Sequence, residues 1–383
     1  MLDNISMRKK VLLVAGARPN FIKIAPLMKA FEAHKEIFNV LLVHTGQHYD
    51  FQLSEIFFKD LNIPKPDICL NVGSASHAVQ TAQIMSAFEK VILDEKPDWV
   101  VVVGDVNSTV ACTLVAAKMH VKIAHVEAGL RSFDRTMPEE INRIVTDSIA
   151  DHLFVSEESG VENLKNEGIA STKIHFVGNV MIDTLLSNME KINKSDILGR
   201  LGLKPEAQTE NEKLNRLYSV LTLHRPSNVD SPETLSEIYD IVETISRSIG
   251  IVYPVHPRTK KMMESHDFLS KFQKITNLKM VEPIGYIDFV KLVKESKFVL
   301  TDSGGIQEET TMLNIPCLTM RDNTERPVTI KKGTNCLVGR NKSKIKRCVG
   351  SIMNDTYKKG KIPKLWDGNT ATLIVNSLRE MHE

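Results

Sequence analysis

Short apolar runs alternate with amphipathic stretches along most of the chain. The Val- and Leu-rich run Val11–Ala15 predicts a fully buried strand, closed by Gly16. Ile22, Ile24, Leu27, Met28 and Phe31 then recur at helical spacing. The same alternation predicts strands at Val40–His44, Trp99–Val103, Lys122–Val126 and His152–Val155. Between them it predicts helices near Ser54–Leu61, His77–Glu95, Thr109–Met119 and Pro138–Ile149. Strands that are apolar on both faces and separated by helices mark a parallel sheet covered on both sides. From about Asn188 to Leu217, Lys, Asn and Glu replace the large apolar residues, which reads as surface chain around a domain junction. The alternation then resumes, with strands at Tyr218–Leu223, Ile251–Val255, Leu278–Val281, Phe298–Thr301, Pro316–Met320 and Cys336–Val338. A last helix is predicted near Thr370–Met381.

A chain of 383 residues is longer than one hydrophobic core usually serves. The reading is therefore α/β with two Rossmann-like domains. One covers 1–180 and is completed by the C-terminal helix 370–383; the other covers 181–369. Open parallel sheets hold ligands beyond the carboxyl ends of their strands, so functional residues are expected there, in a cleft between facing domains. The formal charge of +2 gives no reason to expect nucleic acid or a membrane surface as partner. Five widely spaced cysteines without a CxxC pair fit a reducing compartment. No run approaches the roughly 18 apolar residues of a membrane helix. A cytoplasmic location is expected.

Several polar motifs fall just after the predicted strands. Asp302-Ser-Gly-Gly-Ile-Gln-Glu-Glu309 follows one strand and opens a helix. Gly304 and Gly305 let a ligand approach the backbone, the helix start favours a phosphate, and the Ser303 hydroxyl adds a donor. Glu309, about two turns on, is placed to reach ribose hydroxyls. The same residues also suit an ordinary capped turn. After the first strand, Arg18 and Lys23 can hold a diphosphate, or form a solvated basic helix start. A cation at the positive end of a helix is better explained when an anion arrives.

Asp105 follows the strand Trp99–Val103, Glu127 follows the next, and Glu139 opens the helix after that. Each has a plain structural reading: a cap, a partner for Arg131, a first-turn acid. Three carboxylates on one rim can supply an acid and a base. His224-Arg225 and His256-Pro-Arg258 follow strands of the second half and suggest an anionic ligand, with Arg326 on the same rim. The histidines lack metal-ligand spacing, and GxGxxG, Walker A and GxSxG motifs are absent.

Taken in order, these motifs resemble the non-hydrolysing UDP-N-acetylglucosamine 2-epimerases. The matching segments are Gly16–Pro26, His44-Thr-Gly-Gln-His48, Gly104-Asp105, His125-Val-Glu-Ala-Gly-Leu-Arg131, Pro138-Glu-Glu-Ile-Asn-Arg143, Leu223-His-Arg225, Thr301–Glu309 and Arg321–Pro327. The resemblance implies a glycosyltransferase-B-like fold and interconversion of UDP-GlcNAc and UDP-ManNAc without metal or NAD. In the implied chemistry a C2 proton is removed, UDP leaves C1 to give 2-acetamidoglucal, and UDP adds back as a proton returns to the opposite face. The resemblance places Asp105, Glu127 and Glu139 in acid/base roles. It places Arg18, His224 and Ser303-Gly304-Gly305 at the departing diphosphate, Glu309 at the ribose and Phe289 in the uridine pocket. It also implies a homodimer.

Two departures bear on regulation. Pro226-Ser227-Asn228 stands where many bacterial members have Arg-Glu-Asn, and Asp50 where a Gln is common. These positions serve a second, regulatory UDP-GlcNAc site in some relatives, so no such requirement is expected here. The short segment Ser132–Met137 recurs in relatives acting on UDP-2,3-diacetamido-uronates, which makes a uronate 2-epimerase the first alternative. Arg131, Arg135 and Arg258 are then the candidate partners of the extra carboxylate. A hydrolysing 2-epimerase, a retaining glycosyltransferase and a non-catalytic sugar-nucleotide binder are the others.

Overall fold

The computed structural model describes residues 8–46, 60–203 and 217–381, without the side chains of Arg18 and Pro19. The helix expected near Ser54–Leu61 falls largely outside the described residues, as do His48 and Asp50. The chain divides into two compact units, residues 1–187 with 364–383, and residues 188–363.

The first unit is built on a seven-stranded parallel sheet. Its strands are β1 (Lys9–Ala15), β2 (Phe38–His44), β3 (Ile68–Cys69), β4 (Trp99–Val103), β5 (Lys122–Ala128), β6 (His152–Val155) and β7 (Ile174–Phe176). They lie in the order β3-β2-β1-β4-β5-β6-β7. All five residues of β4 are buried, as an apolar run sandwiched by helices requires. Ile84 and Phe88 of the helix His77–Glu95 pack with Leu12, Val100, Ala111 and Val115 on one face. The strand order reverses between β1 and β4, the topological switch point of such a sheet.

The helix Val180–Ser187 belongs to this unit, so the boundary falls seven residues beyond the division at 180 and at the start of the polar stretch read as the junction. It packs on the helices Arg18–Glu32 and Thr370–Glu380. Buried Asp183 accepts the N–H groups of Thr370 at 3.2 Å and Ala371 at 2.7 Å, satisfying the first turn of the C-terminal helix from a distant part of the chain. Trp366, fully buried, donates to the Ser156 carbonyl at 3.0 Å. These contacts hold residues 364–383 to the first unit.

The second unit carries a six-stranded parallel sheet of β8 (Tyr218–Thr222), β9 (Gly250–Pro254), β10 (Leu278–Val281), β11 (Val299–Thr301), β12 (Cys317–Thr319) and β13 (Asn335–Leu337). The order is β10-β9-β8-β11-β12-β13, with the switch point between β8 and β11. One face is closed by Leu235, Ile238, Val242 and Ile245 of the helix Pro232–Ser246 and by Ile345 and Val349 of the helix Lys342–Met353. Among the described residues no helix is long and apolar enough to cross a membrane.

Candidate active site

The first group of polar residues lies at the carboxyl ends of β1, β4 and β5. Asn20 Oδ1 accepts the N–H groups of Gly16 at 3.1 Å and Ala17 at 2.9 Å, and its Nδ2 donates to the Val103 carbonyl at 3.1 Å. This one amide ties the loop after β1 to the end of β4. One turn further along the helix Arg18–Glu32, Lys23 forms an ion pair with Glu127, and both side chains are buried.

Glu127 has a backbone φ of 77°, a left-handed conformation that costs a residue with a Cβ roughly 1–2 kcal/mol. The β5–β6 register shifts between Val126 and Ala128, so Glu127 is the extra residue of a bulge. Bulges re-aim side chains beside functional sites, and this one turns Glu127 onto Lys23. Gly104, with φ of 69°, makes room for the pair. A Cβ there would lie 2.9 Å from Lys23 Nζ and 3.3 Å from Glu127 Oε2.

Asp105, the next residue, keeps part of its carboxylate in solvent. It pairs with Arg143 Nη1 at 2.5 Å, and its carbonyl accepts from Asn142 Nδ2 at 2.9 Å. Arg143 is fully buried and also pairs with Glu140 at 2.5 Å. Glu140 in turn accepts the N–H of Ser132 at 2.9 Å and of Phe133 at 2.8 Å. Burial opposes the charge on Glu140, yet the Ser132 N–H and the Arg143 guanidinium hold its carboxyl below the usual range. Phe133 is thereby fixed with φ of 59° and its ring exposed. Glu139 sits half-buried in the first turn of the helix Pro138–Ile149.

Beneath these groups, His125 bridges two neighbours, with Nδ1 2.7 Å from Asp147 Oδ1 and Nε2 2.8 Å from the Gly104 carbonyl. Asp147 also pairs with Arg131 at 2.7 Å, and Arg131 with Glu167 at 2.6 Å. The expected structural alternative of a Glu127–Arg131 pair is therefore not what forms. Arg131 is taken by Asp147 and Glu167, and Glu127 turns to Lys23.

The second group lies at the carboxyl ends of β8 and β11. Asp302 is fully buried and accepts the N–H groups of His224 at 3.1 Å and Arg225 at 2.9 Å. Asn228 Nδ2 bridges Asp302 and the Met320 carbonyl, each at 3.0 Å. The Asp302 carboxylate also pairs with His224 Nδ1 at 2.9 Å. This fixes the ring so that Nε2 points away from Asp302. Burial would raise the Asp302 carboxyl, but His224 and its N–H donors hold it low. Asp302, read from sequence as a possible cap, instead orients His224. Asn228, which keeps the Asn of the bacterial Arg-Glu-Asn pattern, anchors Asp302.

Ser303 is the N-cap of the ten-residue helix Gly304–Leu313, and its hydroxyl makes no capping hydrogen bond. A Cβ on Gly304 would stand 2.6 Å from Arg326 Nη1 and 2.8 Å from Glu325 Oε1, so glycine is needed for close packing. Arg326, read as a substrate ligand, is buried and pairs with Glu308 at 2.9 Å and with Glu325. It braces the start of this helix from behind.

Glu309 is buried, its Oε1 has no hydrogen-bond partner among the described residues, and the Tyr286 hydroxyl adjoins it. Burial pushes its carboxyl up to about 7, and Tyr286 acts the other way. Phe289, one turn from Tyr286 on the helix Tyr286–Lys294, packs half-buried with Ile306 and Leu292. Sequence reading missed Tyr286, whose signal was its spacing of three from Phe289. A dry carboxyl with an open acceptor suits a ligand that brings hydroxyl donors.

This carries a stability consequence with a definite sign. The folded carboxyl keeps its proton to about pH 7, while the unfolded one releases it near 4.5, so stability falls as pH rises through that window. Glu309→Gln has no proton to lose. Above pH 7 it is expected to exceed the parent in stability by up to about 3 kcal/mol, and below pH 4.5 to match it. Urea midpoints of the two proteins at acid and alkaline pH measure this, and a difference independent of pH would refute it.

Among the described residues no group of three or more His, Cys, Asp or Glu is placed to hold a metal ion. Comparison with known proteins gives a consistent result. The profile of the family described as UDP-N-acetylglucosamine 2-epimerase matches residues 29–379. A UDP-N-acetylglucosamine 2-epimerase of Methanococcus maripaludis is 40% identical over 369 residues, 96% of this chain and 97% of its own length. A UDP-2,3-diacetamido-2,3-dideoxy-D-glucuronate 2-epimerase of Pseudomonas aeruginosa is 41% identical over 333 residues, 86% of this chain and 88% of its own. The crystal structure of a UDP-GlcNAc 2-epimerase from Methanocaldococcus jannaschii, in complex with UDP-GlcNAc and UDP, superposes with a TM-score of 0.87. It is 41% identical and covers 97% of this chain and 99% of that one. The α/β class with two Rossmann-like sheets, expected from the sequence, is borne out.

Proposed function

The chain belongs to the UDP-N-acetylglucosamine 2-epimerase family, and on that premise we propose that it interconverts UDP-GlcNAc and UDP-ManNAc without hydrolysis. The observation that carries this reading is the switch point of the first sheet, where Glu127 and Lys23 pair beside Gly104 and Asp105 follows directly. The C2 proton of the sugar is weakly acidic, so its removal and return need a positioned base and acid. Asp105, partly in solvent, and Glu127, buried against Lys23, offer two carboxylates in different surroundings. Glu139 is the third acid/base candidate. As the C2–H bond breaks, the C1–O bond breaks with it and UDP departs, leaving 2-acetamidoglucal. The same steps in reverse, with the proton delivered to the other face, give the epimer.

The second unit is assigned to the nucleotide. The first N–H groups of the helix Gly304–Leu313 and the Ser303 hydroxyl meet the diphosphate, and His224 Nε2 faces the charge that grows on the leaving oxygen. Arg18 is assigned to the same diphosphate. Glu309 accepts ribose hydroxyls, and Phe289 lines the uracil side. Lys23 acts chiefly on Glu127, whose charge it neutralises.

The uronate alternative needs a cation for the second carboxylate. Arg131 is buried between Asp147 and Glu167, and Arg258 is held by both oxygens of Asp230 at 3.0 and 2.5 Å. Two of its three candidate arginines are thus committed, which favours the GlcNAc substrate.

Anion-exchange chromatography after incubation with UDP-GlcNAc tests the non-hydrolysing course. Two UDP-sugars at a stable ratio are expected; accumulation of UDP with free ManNAc would move the chain to the hydrolysing class. Ser303→Ala is expected to weaken UDP binding by about 0.5–1.5 kcal/mol, the worth of one hydrogen bond, with turnover at saturation less affected. An unchanged Kd by calorimetry would contradict the assigned phosphate contact.

A further inference from the structure

The near-neutral total charge of the chain conceals an uneven distribution. Residues 331–363 hold ten of the 49 basic side chains and one of the 47 acidic ones, a local charge of +9 in a chain of +2, so the rest stands at −7. The whole segment belongs to the second unit, and its fold brings most of the cations to one side. In the helix Lys342–Met353, Ile345, Val349 and Ile352 face the core. Lys344, Arg347 and Ser351, spaced three and four apart, form a separate stripe. Lys344 and Ser351 line an open cavity of about 450 Å³ with Cys336 and Leu337 of the edge strand β13 and with Tyr357 and Lys358. Arg347 is exposed on the stripe between them. The chain then returns along β13. The Tyr357 hydroxyl donates to the Thr334 carbonyl at 3.1 Å, the Lys358 ammonium to the Ile330 carbonyl at 2.8 Å, and the Lys361 N–H to the Lys332 carbonyl at 2.7 Å. Lys358, Lys359 and Lys361 thereby join Lys331 and Lys332. Lys331, Lys344, Arg347, Lys359 and Lys361 have no carboxylate partner among the described residues. Asp355, the one acid of the segment, lies 3.8 Å from Lys297.

We propose that this basic face docks the protein on an anionic phospholipid surface, with its cations against the phosphodiester headgroups. Like charges held together without counter-charges repel one another, and a surface of the opposite sign relieves that cost. Lysines beside an edge strand also discourage pairing with another sheet, but seven cations drawn from three segments exceed what a three-residue strand needs. Six of the seven are Lys, compact point charges suited to a diffuse anionic surface. Single-stranded nucleic acid is held instead by stacked rings and guanidinium planes. Tyr357 is the one ring of the segment, and it is half-buried with its hydroxyl tied to Thr334. Ile362, directly after Lys361, is 58% exposed, and an apolar side chain among lysines suits the boundary between headgroups and acyl chains. The switch point of this sheet lies between β8 and β11, two strands in from β13, so docking here leaves the groups assigned to the nucleotide apart from the lipid.

The test sediments the full chain with vesicles of phosphatidylglycerol or of phosphatidylcholine. At about 0.1 M salt the protein is expected to pellet with phosphatidylglycerol and stay in solution with phosphatidylcholine, and salt near 1 M is expected to release it. The variant carrying Lys344→Gln, Arg347→Gln, Lys358→Gln and Lys359→Gln is expected to partition to phosphatidylglycerol more weakly by roughly two orders of magnitude, at about fivefold for each cation. Its turnover of UDP-GlcNAc in solution should match the parent. Four exposed lysines elsewhere, Lys90, Lys118, Lys165 and Lys274, replaced by Gln should leave the partition nearly unchanged. The proposal fails if the parent stays in solution with phosphatidylglycerol, or pellets equally with both lipids. It fails if the two fourfold variants lose partition alike. Binding to single-stranded RNA with none to the vesicles would assign the face to nucleic acid and overturn it. The lipid and salt comparisons are read on the parent protein, so they do not depend on how a variant folds.

Discussion

Asp105→Asn and Glu127→Gln are each expected to lower kcat by roughly two to four orders of magnitude, the scale of a lost general acid or base. UDP affinity should stay close to that of the parent, because the nucleotide contacts are assigned to other residues. The two variants differ in what else they disturb. Asp105 is partly solvated, and its amide replacement still accepts from Arg143, so Asp105→Asn should fold and melt much as the parent does. Glu127→Gln leaves the buried Lys23 ammonium without a counter-charge and should also lose stability. Isothermal calorimetry with UDP, initial rates with UDP-GlcNAc and thermal melts separate these effects. Near-normal turnover in both variants would remove the acid/base assignment. A parallel loss of UDP affinity and rate would turn these carboxylates into binding groups.

Arg143→Met is expected to cost about 3–5 kcal/mol, the usual price of breaking a buried ion pair from one side. The guanidinium is the cationic partner of Glu140, which is almost wholly buried and also fixes the Ser132 and Phe133 N–H groups. Its loss strands a carboxylate in the interior and frees the segment that follows Arg131. Turnover should fall too, since Asp105 loses the partner that orients it. Because the folded Glu140 carboxyl lies below its ordinary 4.5, its contribution is complete above that pH and fades as pH falls through the folded value. The gap between parent and Arg143→Met should therefore narrow in acid. Urea unfolding across this range measures it, and a loss under about 1 kcal/mol near neutral pH would mean that Glu140 is satisfied by its N–H donors alone.

Much of this was legible because chemistry and topology coincide. Apolar runs such as Val11–Ala15 and Trp99–Val103 are strands buried on both faces, and polar residues directly after them can only stand at the strand ends. Asp105, Glu127, His224 and Ser303 were placed at strand ends that way. β3 and β7 escaped, being two and three residues long, too short for a periodic signal. Partnerships escaped for a different reason. Lys23 and Glu127 are 104 residues apart, and which cation meets which acid depends on a bulge and on a glycine with positive φ. The partners of Arg131 and Arg326 escaped for the same reason, since a sequence displays an arginine's charge but not the carboxylate that already holds it. Asp302 shows the converse: a residue that reads as a helix cap sits under His224 once β8 and β11 are side by side.

Proton NMR of UDP-GlcNAc with the protein in D₂O, without added metal or NAD, tests the central claim most directly. UDP-ManNAc carrying deuterium at C2 is the predicted product, with deuterium also entering C2 of the recovered UDP-GlcNAc. Epimer formed with its original C2 proton would rule out exchange through the carboxylates at the first switch point, and no epimer at all would withdraw the substrate.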